Sequence, residues 1–210
     1  MTQPKIAVIG AGIIGRTLAR RWTEAGYPVV FGARSPDDAG LREFAAGIGA
    51  DRDTINSAID SADVVLVAIN GGAMEQAVPA MATALAGKIV IDATNNTAGT
   101  TMNSVALISR HAPDAQIYRA FNSLGWENFA DADYAGVNGD LLYAGPAGAA
   151  QETVESLIGA TGLRPVRVGD TGKAGIIDDV TRLWFTLAFE QGLGRGLGFK
   201  VLTRDVTDVH

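Results

Sequence analysis

The stretch Ile6–Gly15, IAVIGAGIIG, decides the fold of this 210-residue chain. Four apolar residues, typical of a buried strand, lead into glycines spaced Gly10-x-Gly12-x-x-Gly15, and an apolar-periodic helix pattern follows. In this context the first glycine permits a tight turn, the second lets the backbone approach a pyrophosphate, and the third lets helix and strand pack closely. The stretch therefore predicts the strand–turn–helix unit of a dinucleotide-binding domain.

The rest of the chain alternates short apolar runs with helical patterns, which is typical of a parallel sheet covered on both faces. We expect a doubly wound, mainly parallel α/β Rossmann sheet in a single domain, 1–210, with a core at 1–120 and a C-terminal extension of sheet and apolar final helix at 121–210. A polar stretch, 53–61, is assigned no element. The predicted strands are 5–9, 29–31, 63–69, 88–92, 115–120, 140–144 and 164–168, and the predicted helices are 13–25, 37–48, 74–85, 102–110, 149–158 and 174–191.

The composition excludes several classes of protein. Cysteine is absent and there are two histidines, so disulfide frameworks, zinc–thiolate sites and multi-histidine metal centres are not expected. The formal net charge is -6 with no basic run, which argues against nucleic acid or an anionic membrane as partner. No apolar run approaches the roughly 20 residues of a membrane span, and no leader-like segment precedes the first strand, so we expect a cytoplasmic protein.

The tip of the second strand indicates which dinucleotide is bound. NAD sites carry a carboxylate there, which bonds the ribose hydroxyls and repels the extra phosphate of NADP. Here the tip reads Phe31-Gly32-Ala33-Arg34-Ser35, with no acid. An arginine presents a charged planar fork suited to a phosphate, with the serine hydroxyl beside it. The tip therefore predicts NADP(H), with Arg34 and Ser35 on the 2′-phosphate.

The remaining cofactor contacts are expected in the glycine loop and at the carboxyl ends of later strands, which line the crevice of such sheets. At those ends, Asn70-Gly71 is also compatible with a simple turn, and Asn95-Asn96 with a helix-capping loop. The candidate cofactor-binding residues are Gly10, Ala11, Gly12, Ile13, Ile14, Gly15, Arg34, Ser35, Ile69, Asn70, Ala93, Thr94 and Asn95.

Several segments together resemble one family, the F-420-dependent NADP oxidoreductases. They are IAVIGAGIIG, FGARSP, GKIVIDATNN, RAFNSLGWENFA, LLYAGP, GLRPVRVGD and the closing RLWFTLAF…GRGLGFKVL, in order along nearly the whole chain. The same unit also resembles the cytoplasmic domain of the STEAP metalloreductases. The resemblance implies that NADPH lies across the sheet edge, that the deazaflavin coenzyme F-420 stacks over its nicotinamide, and that hydride passes directly between the rings.

The resemblance also implies a second pocket, formed by 121–126 and the final helix. Asn122 is then the candidate catalytic residue in contact with the deazaflavin, and the aromatic residues Trp126, Trp184, Phe185 and Phe189 are candidate walls. Helical spacing equally places the last three in the core or at the homodimer interface that the family implies. The chain departs from the family at Ala11, where a polar residue is common, and at Asn122, where some members have histidine. Asp178-Asp179 beside an anionic deazaflavin is electrostatically unfavourable.

Two other functions remain open. One is NADPH-dependent reduction of a small carbonyl, imine or alkene substrate, or of a flavin, which needs a proton donor; the candidates are Asp179, Tyr118, Tyr143 and Lys173. The other is a non-enzymatic NADP-sensing module. GLGRGLG at 192–198 follows a helix rather than a strand, so it does not predict a second nucleotide site, and we expect the tail after Leu202 at the surface or in an oligomer contact.

Overall fold

A computed structural model of the protein describes residues 3–204, and within them the chain forms one eight-stranded sheet in the order β3-β2-β1-β4-β5-β6-β7-β8. Strands β1 to β6 are parallel, which confirms the predicted doubly wound, mainly parallel sheet. The strands are β1 Ile6–Ile9, β2 Val29–Ala33, β3 Asp51–Thr54, β4 Val64–Val67, β5 Ile89–Asp92, β6 Gln116–Arg119, β7 Asp140–Ala144 and β8 Arg164–Gly169.

Helices cover both faces of the sheet and bury two apolar clusters against it. One face packs on residues of α1, α2 and α7, where fully buried Trp22 donates from Nε1 to the Leu157 carbonyl at 2.9 Å. The other face packs on α3, α4 and α5. The helices are α1 Ile13–Glu24, α2 Ala39–Ile48, α3 Ile55–Asp60, α4 Met74–Leu85, α5 Val105–His111, α6 Glu127–Ala130, α7 Ala149–Gly159 and α8 Ala174–Phe185.

The structure corrects the prediction in four places. The stretch 53–61 is not irregular, because 51–54 forms the edge strand β3 and 55–60 forms α3. Its strand is mostly exposed and polar, DRDT, so the sequence carries no apolar signal for it. The helix predicted at 102–110 begins three residues later as α5, and a short helix, α6, was not predicted. The final helix ends at Phe185, and a π-helical turn, Thr186–Glu190, follows.

Strands β7 and β8 are parallel to each other, but β7 meets β6 antiparallel at Arg119 and Ala144. The start of β7 is held by fully buried Asp140, whose carboxylate accepts hydrogen bonds from Arg164, Lys200 and the Val201 N–H. Burial raises the pKa of Asp140, but these donors outweigh burial and hold it at about 2. The carboxylate thus fastens the chain near Val201 to the sheet.

The sheet continues without interruption from the predicted core into the predicted extension, and the division at residue 120 stays a prediction. Leu202 is 84% exposed, in keeping with a surface position at the start of the tail. Residues 205–210, the rest of that tail, lie outside the described residues. Within residues 3–204, every helix is too short or too polar to traverse a lipid bilayer.

Candidate functional site

The glycine loop has the geometry that its spacing predicts. Gly10 has φ +115°, and a Cβ added there would lie 2.5 Å from the Ala68 carbonyl oxygen. A Cβ on Gly15 would lie 2.0 Å from the Gly10 carbonyl oxygen, so this glycine lets α1 start directly against the turn. Gly12 differs, because an added Cβ would meet nothing within 4 Å. Two glycines are therefore required by the fold, and the third keeps the mouth of the loop open.

Helix α1 begins at the mouth of this loop with its first amides available. Gly12 is the N-cap residue and provides no side-chain cap, and the first turn contains no acidic residue. The first intrahelical bond from this end runs from the Arg16 N–H to the Gly12 carbonyl, at 2.9 Å. The N–H groups of Ile13, Ile14 and Gly15 thus face outward with the positive end of the helix dipole, which is suited to a pyrophosphate.

A cleft of about 960 Å³ opens from the glycine loop across the carboxyl ends of β1, β2 and β4. It brings together the glycine loop, the tip of β2 and the end of β4. The predicted cofactor residues among its lining residues are Gly10, Ala11, Arg34, Ser35, Ile69 and Asn70.

The tip of β2 provides positive charge to this cleft. Arg34 and Ser35 are exposed, and within residues 3–204 no carboxylate lies within 4.0 Å of the Arg34 guanidinium. Gly32 is closely packed, since an added Cβ would lie 2.5 Å from Ile9 Cδ1, and the Ile9 side chain would have to move. Asp38 is the acid among the lining residues, and it caps α2 by accepting from the Leu41 N–H at 2.9 Å.

Arg16 also lines the cleft, and the sequence reasoning missed it. Its Nε donates to the Ala11 carbonyl at 2.9 Å, and its guanidinium lies 4.8 Å from the centre of the Phe44 ring. A cation near a helix N-terminus interacts unfavourably with the helix dipole. A basic residue directly after the third glycine therefore indicates an anionic ligand at this position.

Other lining residues were missed because they lie on elements that the sequence assigned no role. They come from the edge of the sheet, from the turn before α4 and from one side of α4. They are Thr54, Ile55, Asn56, Ala73, Gln76, Ala77, Ala80 and Met81. They line the same cleft as Arg34 and Ser35.

The residues predicted at the end of β5 lie outside this cleft. Ala93 and Thr94 are buried, and the Thr94 hydroxyl donates to Asp92 at 2.6 Å. Asn95 is half-buried, and its amide is used twice, accepting from Arg119 at 2.8 Å and donating to the Asn122 carbonyl at 2.8 Å. The role of Ala93, Thr94 and Asn95 as cofactor ligands stays a prediction. Because the Asn95 side-chain amide already bonds Arg119 and Asn122, the prediction for Asn95 concerns its backbone groups.

Behind the end of β5 lies a fully buried ion cluster that the sequence reasoning did not identify. Arg119 donates from Nε and Nη2 to Asp178 Oδ1, at 3.0 and 2.8 Å, and its Nη1 lies 3.4 Å from Asp92 Oδ2. Its other bonds go to the carbonyls of Asp92 and Thr94 and to Asn95. All five guanidinium N–H groups are therefore used.

The cluster bears on the electrostatic expectation for the acidic pair at the start of the final helix. Asp178 is 2% exposed and shares the guanidinium of Arg119 with Asp92, so the three groups carry a formal net charge of -1. Asp179 is exposed and pairs with Arg182 at 2.6 Å, one turn along the same helix. Asp179 thus has a cation partner of its own, whereas the buried cluster stays formally negative, so an anionic acceptor beside this acidic pair remains electrostatically unfavourable.

Asn122, the candidate catalytic residue, lies under α8. It is 4% exposed, its Nδ2 donates to Thr181 Oγ1 at 2.8 Å, and its Oδ1 is buried without a partner among the described residues. The preceding residue, Phe121, has φ +60°, a left-handed conformation that is strained for a phenylalanine. Contact between Asn122 and a substrate stays a prediction; the structure shows its amide nitrogen in use.

The candidate aromatic walls separate into two environments. Trp184 is 2% exposed and donates from Nε1 to the Leu197 carbonyl at 2.8 Å, which makes it a core residue. Trp126 and Phe185 are half-buried, and Phe189 is 55% exposed. Phe189 packs edge-on against Trp184, at 5.6 Å between ring centres, so it extends the core to the surface.

The candidate proton donors do not line the cleft. Tyr118 is fully buried and donates to the Pro146 carbonyl at 2.8 Å, and burial raises its pKa to about 12. Tyr143 is also fully buried and bonded to Glu155, and burial followed by that carboxylate raises its pKa further. Lys173 and Asp179 are exposed at the start of α8 and on its outer side. None of the four is among the residues that line the cleft.

Comparison with known proteins agrees with this geometry. Residues 5–96 match the family described as NADP oxidoreductase, coenzyme F420-dependent, which confirms the resemblance over the segment that carries the glycine loop and the tip of β2. A crystal structure of a candidate F420-dependent NADP reductase from Arthrobacter sp. FB24 has a TM-score of 0.81 and 22% identity over 95% of this chain and 100% of that one. The shared fold therefore extends through the C-terminal extension.

Two further relatives are reductases. Metalloreductase STEAP3 of Rattus norvegicus is 27% identical over 183 residues, 84% of this chain and 36% of the relative, so this chain spans about a third of its length. An imine reductase from Myxococcus stipitatus, in complex with NADP+, has a TM-score of 0.65 and 24% identity over 88% of this chain and 62% of that one. The family match therefore covers the nucleotide-binding segment of the chain, and the solved structures share its fold.

Proposed function

We propose that this protein is an oxidoreductase that transfers hydride between NADPH and the deazaflavin coenzyme F-420. The observation that carries the nucleotide half is the cleft itself, which joins an open glycine loop to two arginines at the edge of β2 and α1. The match of residues 5–96 to the F420-dependent family supports the choice of acceptor.

The residues present fit the nucleotide. The uncapped start of α1 would hold the pyrophosphate, and Arg34 and Ser35 would hold the 2′-phosphate. Arg16 would bind the phosphate that lies nearest to α1. When bound, NADPH supplies a hydride, and the oxidised deazaflavin takes it up together with a proton from solvent. Transfer of this kind needs orientation and exclusion of water more than an acid or base. A site whose candidate proton donors lie buried or away from the cleft is compatible with it.

The acceptor side is proposed along α8 and the segment 121–126, beyond the ends of β5 and β6. We also keep the expected homodimer as a proposal, with the exposed Leu183 and Phe189 on its contact surface, since both are about half exposed, at 49% and 55%. A cytoplasmic location stays a prediction.

The acceptor is tested by mixing the purified protein with NADPH and oxidised F-420 and following the loss of the deazaflavin absorbance. We expect turnover in this assay and weaker or no turnover with NADH. Tight NADPH binding without F-420 reduction would contradict the choice of acceptor while leaving the nucleotide site intact.

A second candidate function, reduction of an imine or carbonyl by NADPH, is favoured by the fold shared with imine reductases. It requires a proton donor at the nicotinamide, and the four candidates named from the sequence lie away from the nucleotide cleft. Consumption of NADPH with a panel of cyclic imines, in the absence of F-420, would favour this function over the first. Binding of NADPH without turnover of either acceptor would favour a sensing module.

The choice of nucleotide is tested with Arg34→Ala. Loss of one charged hydrogen-bonding partner of a phosphate is expected to cost about 1.5–3 kcal/mol of binding, which is about 10- to 150-fold in Kd. NADH lacks that phosphate, so its Kd should stay within about threefold. Titration of each nucleotide by the quenching of intrinsic tryptophan fluorescence measures both constants.

Arg110→Ala is the matched control, because Arg110 is an exposed arginine in the last turn of α5 and lies outside the cleft. It should change neither Kd. Equal weakening of NADPH and NADH by Arg34→Ala would show that the arginine does not distinguish the 2′-phosphate.

A further inference from the structure

The β5–α5 loop, residues 93–104, is fastened at both of its ends to one buried ion pair. At its start, Asn95 accepts from Arg119 Nη2 at 2.8 Å. At its end, Asn103 donates from its backbone N–H and from Nδ2 to Asp178 Oδ2, at 3.2 and 2.7 Å. Arg119 and Asp178 lie 59 positions apart and bond each other, so one pair holds two stems of the same loop.

The loop closes on itself between these two anchors. The Asn96 N–H donates to the Met102 carbonyl at 2.9 Å, and Met102 is 5% exposed, whereas residues 97–101 are exposed. Asp92, the last residue of β5, adds a third anchor, because it accepts from the Ser104 N–H at 2.7 Å. The stems are therefore fixed to the sheet and to α8, and the tip projects into solvent.

The loop lies against a turn that borders the nucleotide cleft. A Cβ added to Gly71 would lie 2.4 Å from Asn96 N and 2.6 Å from Asn95 C, so the loop backbone lies against the turn that follows β4. Asn70, the residue before that glycine, lines the cleft, and its Oδ1 accepts from the Gly72 N–H at 2.8 Å. The ends of β4 and β5 form the side of the crevice beyond the pyrophosphate, where the nicotinamide half of a dinucleotide lies in this fold.

We propose that Arg119 and Asp178 are positioning residues that hold the β5–α5 loop against the nicotinamide end of the nucleotide. The proposal rests on the proposed function, since it assumes that NADPH occupies the cleft. Neither residue touches the nucleotide; each acts through Asn95, Asn103 and the loop backbone. The adenosine end is held by other elements, around Arg34 and α1, so the pair affects one half of the ligand.

The bonding pattern makes this role specific to a carboxylate at position 178. Each oxygen of Asp178 accepts two hydrogen bonds, Oδ1 from the guanidinium of Arg119 and Oδ2 from Asn103. In Asp178→Asn one oxygen becomes an NH₂ group, which faces donors in either orientation of the amide. If the carbonyl of the new side chain faces Arg119, its NH₂ group faces Asn103 and cannot accept hydrogen bonds from it. The substitution would then release the end of the loop, while the shape of the side chain at position 178 stays the same.

The test compares Asp178→Asn with Asp179→Asn, the neighbouring acid on the same helix, which is exposed and pairs with Arg182. The Kd of 2′,5′-ADP reports the adenosine end alone, and the Kd of NADPH reports both ends. We expect Asp178→Asn to leave the first within about twofold and to weaken the second about tenfold, as expected for one or two lost hydrogen bonds. Asp179→Asn should change neither constant.

Asn103→Ala provides a second variant, because it removes the loop stem from Asp178 while the buried ion pair stays intact. Asn103→Ala should weaken the binding of NADPH and leave the binding of 2′,5′-ADP nearly unchanged, even if Asp178→Asn folds poorly. Parallel weakening of both ligands, or no change in either, would overturn the proposed positioning. If the parent protein binds neither 2′,5′-ADP nor NADPH, the proposed function itself is wrong, and that result is distinct from an absent split.

Discussion

Gly12→Ala is expected to fold like the parent protein and to bind NADPH about 10- to 150-fold less tightly, a loss of about 1.5–3 kcal/mol from charged hydrogen bonds. The added methyl group meets no atom within 4 Å, and the backbone at φ -74° and ψ -174° is open to any L-residue. The same methyl group occupies the space in front of the amides of the first turn. Fluorescence titration of NADPH and thermal unfolding measure the two effects separately.

Gly10→Ala is the contrasting variant in the same loop. Its φ of +115° is unfavourable for alanine, and its methyl group would meet the Ala68 carbonyl at 2.5 Å, so the turn itself must move. We expect it to lower the unfolding temperature as well as NADPH affinity. A Gly12→Ala variant that binds NADPH like the parent would show that the pyrophosphate does not approach this loop.

Arg119→Met is expected to lower the free energy of unfolding by about 3–5 kcal/mol, a large share of the 5–15 kcal/mol typical of such a domain. Methionine fills a similar volume but leaves Asp92 and Asp178 without the guanidinium between them. Removing one partner of a buried ion pair strands the other charge in a medium of low polarity. Urea unfolding followed by circular dichroism measures the change.

Arg182→Met is the control for this loss. It breaks the exposed pair with Asp179, and exposed pairs contribute about 0–1 kcal/mol. A double variant, Arg119→Met with Asp178→Leu, should recover part of the stability, because it removes a stranded carboxylate as well. A loss in Arg119→Met no larger than that in Arg182→Met would mean that the buried cluster contributes little to folding.

Elements with a strong apolar signal were predicted closely. The run VVLV at 64–67 is buried on both faces of the sheet, and β7 has the predicted bounds, 140–144. Strand β3 is an exposed edge strand of sequence DRDT and pairs with β2 through its backbone, so its formation depends on the neighbouring strand. Tertiary pairing of this kind leaves no periodic pattern in the sequence.

The residues of the candidate site likewise divide into those that a local sequence pattern indicates and those that it does not. The place of Arg34 at the cleft was predictable from a local pattern, the tip of the strand that follows the glycine loop, while its contact with a 2′-phosphate stays a prediction. The Arg119 cluster was not, because its partners are drawn from β5, β6 and α8 and come together after folding. Arginine at the end of a strand and aspartate near the start of a helix are each common as solvated residues, so neither gave a signal alone.

The reversed strands β7 and β8 determine how the chain returns to the site. Helix α8 and the turn before it follow β6 in steps, from Thr171 at Ile117, through Asp178 at Arg119, to Thr181 at Asn122. These inward contacts fix the path of the helix, whereas Asp179 and Arg182 on its outer side bond each other. On the proposed function, the adenosine end of NADPH and the acceptor are therefore bound by separately encoded parts of the chain. Substitutions on the outward face of α8 alone would then let relatives use different acceptors, while the sequences of their nucleotide-binding loops stay the same.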